Sequence, residues 1–247
     1  KLNRYPTSAP SDKLASEIEL HYYVSIGSER LLGRFREVIW GFVQRAPIKF
    51  HSFPFALFSI CRDHFSDQRY RFLIDIGAEV TEVLLLADDV LWESVSFPAG
   101  RNGLIRELTK ALKTVPEEAL SAFHLYRRGA ANKLTTEKMT AALESFRKIW
   151  TGYFRQTLEV LSEQHLIPRE ILAIGDPLVT PLFLDWLRQD KYNGILVGNR
   201  VFNTTLLTTT SLSGQCGYQL GVSAAQGEHL LVGSVFYDKL LNINQHG

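Results

Sequence analysis

The stretch that most constrains this chain is YRFLIDIGAEVTEVLLLADDVLWESVSFPAG, Tyr70 to Gly100. Three apolar runs follow one another with only short polar turns between them. Phe72, Leu73, Ile74 and Ile76 leave no polar face, the pattern of a strand covered on both sides. VTEVLLLA is a second strand, and Asp88-Asp89 turns it into a third, VLWESVSF. Asp75, Gly77 and Thr81 sit at the mouth of the first turn.

Upstream, SEIELHYYVSIG alternates and is rich in β-formers, which predicts a strand from Ile18 to Ile26. Leu31, Phe35, Val38, Ile39, Phe42 and Val43 recur at helical spacing behind Ser28, an N-cap. PIKFHSF reads as a short strand and PFALFSICRDHF as a short helix. Residues 14–66 therefore read as a small β-α-β-α unit behind a loose lead-in, 1–13, with one larger domain over 67–247. In that domain NGLIRELTKALKTV and PEEALSAFHLYRRG are helices, the second ended by Gly129. The longest helix begins at a cap on Thr135 or Thr136, and Met139, Leu143, Phe146, Ile149 or Trp150, Tyr153, Leu158 and Leu161 stripe one face. REILAIGD is a strand ending at Gly175-Asp176, PLFLDWLRQ a helix, GILVGN a candidate strand, and EHLLVGSVFYDKLLN a closing helix. TTLLTTTSLSG fits either strand or helix.

At 247 residues the chain has ample length for a real core. A formal net charge of +1 advertises no nucleic-acid partner. No run of about 18 apolar residues predicts a transmembrane helix. Cys61 and Cys216 are the only cysteines. Two free thiols or one disulfide fit them. The first residue is Lys1 and the only methionine is Met139, as in a fragment or a processed product. No Walker-type loop, dinucleotide fingerprint or nucleophile elbow is present. Cys61-x-x-His64 has the spacing of half a zinc site, but no second half lies near it in sequence, and a buried cysteine beside a surface histidine is the reading it favours.

The first turn of the meander carries the remaining chemistry. Successive backbone N–H groups in such a turn can face an anion, and glycine lets the backbone come close. A threonine hydroxyl can add a donor, and a strand-end aspartate can hold magnesium through water. Asp75-Ile76-Gly77-Ala78-Glu79-Val80-Thr81 has all these parts. The same residues also fit an ordinary tight turn, with Asp75 accepting turn amides and Gly77 at positive φ.

The order of these features resembles the second half of the actin-like ATPase superfamily, in the branch that holds the pilus-assembly protein PilM and the division protein FtsA. DIGAEVT is similar to that family's second phosphate motif, FPAG to the glycine turn after the third strand, and ILAIGD to the strand and glycines beside the adenosine. The upstream β-α-β-α is similar to the end of the small domain inserted in this branch. The resemblance implies an α/β fold, an actin-like (ribonuclease H-like) mixed sheet. It also implies a phosphate or Mg-ATP site at Asp75, Gly77, Ala78, Glu79, Thr81, Gly100 and Gly175, with Asp75 serving the magnesium ion.

Several positions depart from the family's pattern. Arg101 follows Gly100 where a second glycine is usual. Ile105 stands at a threonine position. Ala119-Leu120-Ser121-Ala122-Phe123 replaces a run that holds the adenosine. Asp176 follows Gly175 and adds a carboxylate, as does Glu79. The family's first half, with its first phosphate motif, is absent from this chain. The resemblance then implies a non-enzymatic scaffold or adaptor of a bacterial cell-envelope machine, with degenerate ATP binding. Its expected partner is the cytoplasmic tail of an inner-membrane assembly protein, and its expected place the cytoplasm, at or near that membrane. Homo-oligomerisation is compatible with it. The alternative is an active ATP-binding protein whose other lobe is supplied elsewhere.

Overall fold

The computed structural model describes residues 2–3, 13–20, 22–43, 47–65, 70–88, 90–196, 201–217 and 227–245. The chain divides into two compact units, Lys1–Phe55 and Ala56–Gly247.

In the first unit the sequence expectation holds for the helix and fails for the strands. Helix α1 (Glu29–Phe42) starts where Ser28 accepts a hydrogen bond from the Leu31 amide. The described residues of 18–26 and 47–52 form no strand, and an isolated bridge between Leu2 and Ile18 stands instead. A strand persists only if a neighbour satisfies its ladder, and no second strand lies among the unit's described residues. Most of the proposed lead-in, residues 1 and 4–12, lies outside the described residues. Helix α2 (Phe53–His64) carries the chain into the second unit.

The second unit is built on a mixed sheet of five strands in the order β3-β2-β1-β4-β5. The meander forms as expected: β1 (Tyr70–Ile76), β2 (Thr81–Ala87) and β3 (Val90–Phe97) pair antiparallel. β4 (Glu170–Gly175) adds parallel to β1, and β5 (Asn203–Leu206) adds parallel to β4. The ambiguous threonine-rich stretch resolves into β5 and helix α7 (Thr209–Cys216), because Thr208 and Ser211 form a reciprocal capping box at the junction. In GILVGN, Leu196 makes an isolated bridge to Asn193, and 197–200 lie outside the described residues.

Alternation along β1 divides its side chains between two layers. Phe72, Ile74 and Ile76 join the main core under α3 (Arg101–Leu112), α4 (Pro116–Arg127), α5 (Lys133–Ser162) and α6 (Thr180–Gln189). Arg71, Leu73 and Asp75 face the other way, toward α2 and α8 (Glu228–Gln245): Arg71 donates to the Cys61 carbonyl of α2, and Asp75 meets His229 of α8. Both faces are covered, which is why the strand shows no polar stripe. The α5 cap is Asn132, whose side chain accepts from the Thr135 amide. The threonines predicted as caps lie inside the helix, where Thr136 donates back to the Asn132 carbonyl.

Candidate functional site

The β1–β2 turn is closed by the Gly77 amide donating to the Val80 carbonyl at 3.0 Å. A Cβ on Gly77 would stand 2.8 Å from that oxygen, so close approach demands the glycine. Positive φ plays no part, since Gly77 is not among the positive-φ glycines. The carbonyls of Gly77 and Ala78 accept from the Arg101 and Asn102 amides at 2.9 and 2.8 Å. These are the first two N–H groups of α3, which have no partner within the helix. The turn therefore caps α3, and Gly100 makes the approach possible.

Glu79, at the tip, points onto α3. Its two carboxylate oxygens accept from the Arg106 guanidinium at 2.9 Å each, and Oε1 also accepts from Asn102 Nδ2 at 3.0 Å. The Arg106 hydrogen bonds hold the Glu79 carboxyl below its usual range. Thr81 is wholly buried: its hydroxyl donates to the Ala99 carbonyl at 2.6 Å and accepts from Trp150 Nε1 at 3.1 Å. Glu79, Thr81 and Gly100 thus frame the turn without lining the space in front of it.

That space is an open cleft of about 270 Å³. Ile76, Gly77, Ala78 and Arg101 form one wall, Gly175 and Asp176 a second, and Glu228 and His229 of α8 a third. Of the residues picked from sequence, Gly77, Ala78 and Gly175 line it. Asp75 borders it through His229, whose Nε2 lies 2.9 Å from Asp75 Oδ1. Gly175 has φ +156°, and a Cβ there would stand 2.8 Å from the Ile76 carbonyl oxygen, so β1 and β4 meet closely at the floor.

Two departures from the family's pattern meet in this cleft. Arg101 Nη1 pairs with Asp176 Oδ2 at 3.0 Å. Asp176 Oδ1 accepts from the Leu178 amide at 2.9 Å, and its carbonyl accepts from the Val179 and Thr180 amides, so the same residue opens the turn that leads into α6. An extra carboxylate at this position is unfavourable alone. Here a cation from the other wall neutralises it. Sequence reasoning flagged both residues but did not pair them, and it missed Glu228 and His229 altogether. They lie on a helix far along the chain, and no local motif marks them.

The cleft thus holds carboxylates from Asp176 and Glu228, with Asp75 at its border, against the cationic Arg101 and a histidine. The hydrogen bond to Asp75 raises the His229 pKa above its usual value, against the effect of burial. A raised folded-state value means that the pair's contribution to stability is full below the ordinary histidine pKa. It is lost as pH rises through the raised value. His229→Gln should therefore remove part of the stability at about pH 6 and little at about pH 9, judged against the ordinary histidine value. Urea unfolding of both proteins checks this. With the imidazole partly exposed to solvent, the difference should be roughly 0.5 kcal/mol.

No family model matches the chain, and no curated protein sequence matches it. Solved structures do. One is the PilM-PilN type IV pilus biogenesis complex, with a TM-score of 0.60 at 17% identity, over 84% of this chain and 57% of that one. Another is MreB 5 of Spiroplasma citri bound to AMPPNP, with a TM-score of 0.54 at 11% identity, over 89% of this chain and 68% of that one. The chain therefore spans little more than half the length of the PilM-PilN structure's matching chain. The sheet order, the meander and the agreement with both structures give one conclusion: this chain has the fold of the actin-like ATPases.

Proposed function

We propose that this chain is a scaffold or adaptor of a bacterial cell-envelope machine, of the type IV pilus assembly kind, with weak or vanished Mg-ATP binding. The observation that carries the reading is the Arg101–Asp176 ion pair across the cleft. A nucleotide phosphate entering there would have to draw Arg101 from Asp176 and leave that carboxylate facing the ligand's own negative charge. Asp75, Gly77, Ala78, Glu79, Thr81, Gly100 and Gly175 are then an inherited phosphate turn, with Asp75 the residue suited to hydrated magnesium.

The partner in this reading is a protein, the cytoplasmic tail of an inner-membrane assembly component, and the chain works in the cytoplasm at that membrane. The likeness to a PilM-PilN complex supports such a partner. Among the described residues no helix is long and apolar enough to cross a membrane. The close-packed turn of Gly77, Gly100 and Gly175 favours a second reading, an ATP-binding protein completed by another lobe.

Isothermal titration of the chain with Mg-ATP separates the two. The scaffold reading expects no binding at millimolar nucleotide. Micromolar binding that Asp75→Ala abolishes would overturn it and favour the second.

A further inference from the structure

We propose that the first turn of α8 is an autoinhibitory plug: Glu228 walls the cleft with a carboxylate, His229 holds Asp75 at its border, and lifting that turn admits a magnesium nucleoside triphosphate. The inference rests on reading the cleft as an inherited nucleotide site, and it explains why such a site would bind its ligand weakly.

Three observations carry it. First, α8 presents its N-terminal residues Glu228 and His229 to the cleft that Gly77 and Ala78 also line. The N-terminus of a helix attracts anions. Glu228, the first helical residue and only 8% exposed, puts the helix's own carboxylate there. Second, His229 Nε2 occupies Asp75 Oδ1 at 2.9 Å. Asp75 is the carboxylate suited to a hydrated magnesium ion, so the imidazole and the metal compete for one oxygen. Third, the plugging end and the anchored end of the helix are separate. Val232, Val235 and Phe236 are buried in the middle. Lys239, roughly 15 Å along the axis from His229, donates to Ser59 and Asp63 of α2. The His229 side chain is 43% exposed, so its grip on Asp75 is open to solvent competition.

A plug of this kind differs from a site that has merely lost its ligand contacts. The turn beneath it keeps the close backbone approach at Gly77, Gly100 and Gly175. Beside the Arg101–Asp176 pair, what stands against a ligand there is the first turn of α8, an element of the same unit.

The test is Mg-ATP titration of the wild type, Glu228→Gln, His229→Ala and Lys239→Ala, with circular dichroism to confirm folding. Glu228→Gln removes only a charge. His229→Ala releases Asp75, and Lys239→Ala loosens α8 without touching the cleft. Each folded variant is expected to bind at least about tenfold tighter than the wild type. In Lys239→Ala the amides of the first α8 turn should also exchange faster. Unchanged affinity in folded Glu228→Gln overturns the plug, and so does a gain there with none in Lys239→Ala, since that pattern means charge repulsion alone. If His229→Ala fails to fold, the other two variants decide. A wild type with micromolar affinity and still tighter variants supports the plug while sinking the scaffold reading. A wild type and variants that all fail to bind overturn the plug and leave the scaffold reading standing.

Discussion

Trp150→Ala is expected to lower the stability of the second unit by about 4 kcal/mol, at the upper end for a core truncation. Trp150 is wholly buried. Its ring stacks on Phe154 at 5.5 Å and meets Phe97 and Phe183 edge-on at 5.7 and 5.0 Å. Removing it opens a cavity between α5, α6 and the sheet that rigid neighbours cannot fill. It also withdraws the indole N–H from the Thr81 hydroxyl, which is held to Ala99 on the other side. The loss thus reaches the start of β2 and the approach to Gly100. Against a total of about 5–15 kcal/mol for a domain, the variant should be marginal at ambient temperature. Chemical denaturation followed by far-ultraviolet circular dichroism measures it. A loss under about 1.5 kcal/mol would mean that the aromatic cluster collapses around the gap. Trp150→Phe keeps most of the packing and drops the hydrogen bond, and should lose about 1–2 kcal/mol.

Gly100→Ala should lose about 3 kcal/mol or more for the addition of one methyl group, as overpacking and two broken hydrogen bonds add together. Gly100 has φ −142°, which any residue adopts, so backbone strain is not the cause. The cause is contact. An added Cβ would stand 2.5 Å from the Gly77 oxygen and 2.8 Å from the Ala78 oxygen. Both are backbone atoms of the turn and cannot swing aside as a side chain can. Relief means moving the turn away from α3 and breaking the bonds from the Arg101 and Asn102 amides. Thermal unfolding checks the loss, and amide exchange at Arg101 and Asn102 should rise with it. A variant as stable as the wild type would show that the turn and α3 are not clamped as described.

What could be read from the chain was whatever depends on neighbours in sequence. The meander declared itself through three short apolar runs and their turns. The β1–β2 turn declared itself through Asp75, Gly77 and Thr81, although Thr81 is spent on Ala99 and Trp150 and does not face the cleft. Caps were legible only where one candidate stood alone. Ser28 was found, whereas Asn132 was missed beside two threonines able to do the same work. Among the described residues, the strands expected at 18–26 and 47–52 failed for a different reason. Alternation reports a willingness to pair, and pairing needs a second strand that composition cannot supply.

The chemistry of the cleft was the least legible part. Arg101 and Asp176 stand 75 residues apart and each reads alone as a flaw in the family's pattern. Together they are one neutral pair. His229 and Asp75 are 154 residues apart, and nothing near His229 marks it. The sequence by itself determined the meander, most of the helices and the glycines at which backbones must touch, because periodicity and steric limits act locally. Only the tertiary structure decided which charges meet and what stands in the cleft. Coulomb energy and hydrogen bonds depend on distance in space, and the fold sets that distance by returning α8 to the end of β1.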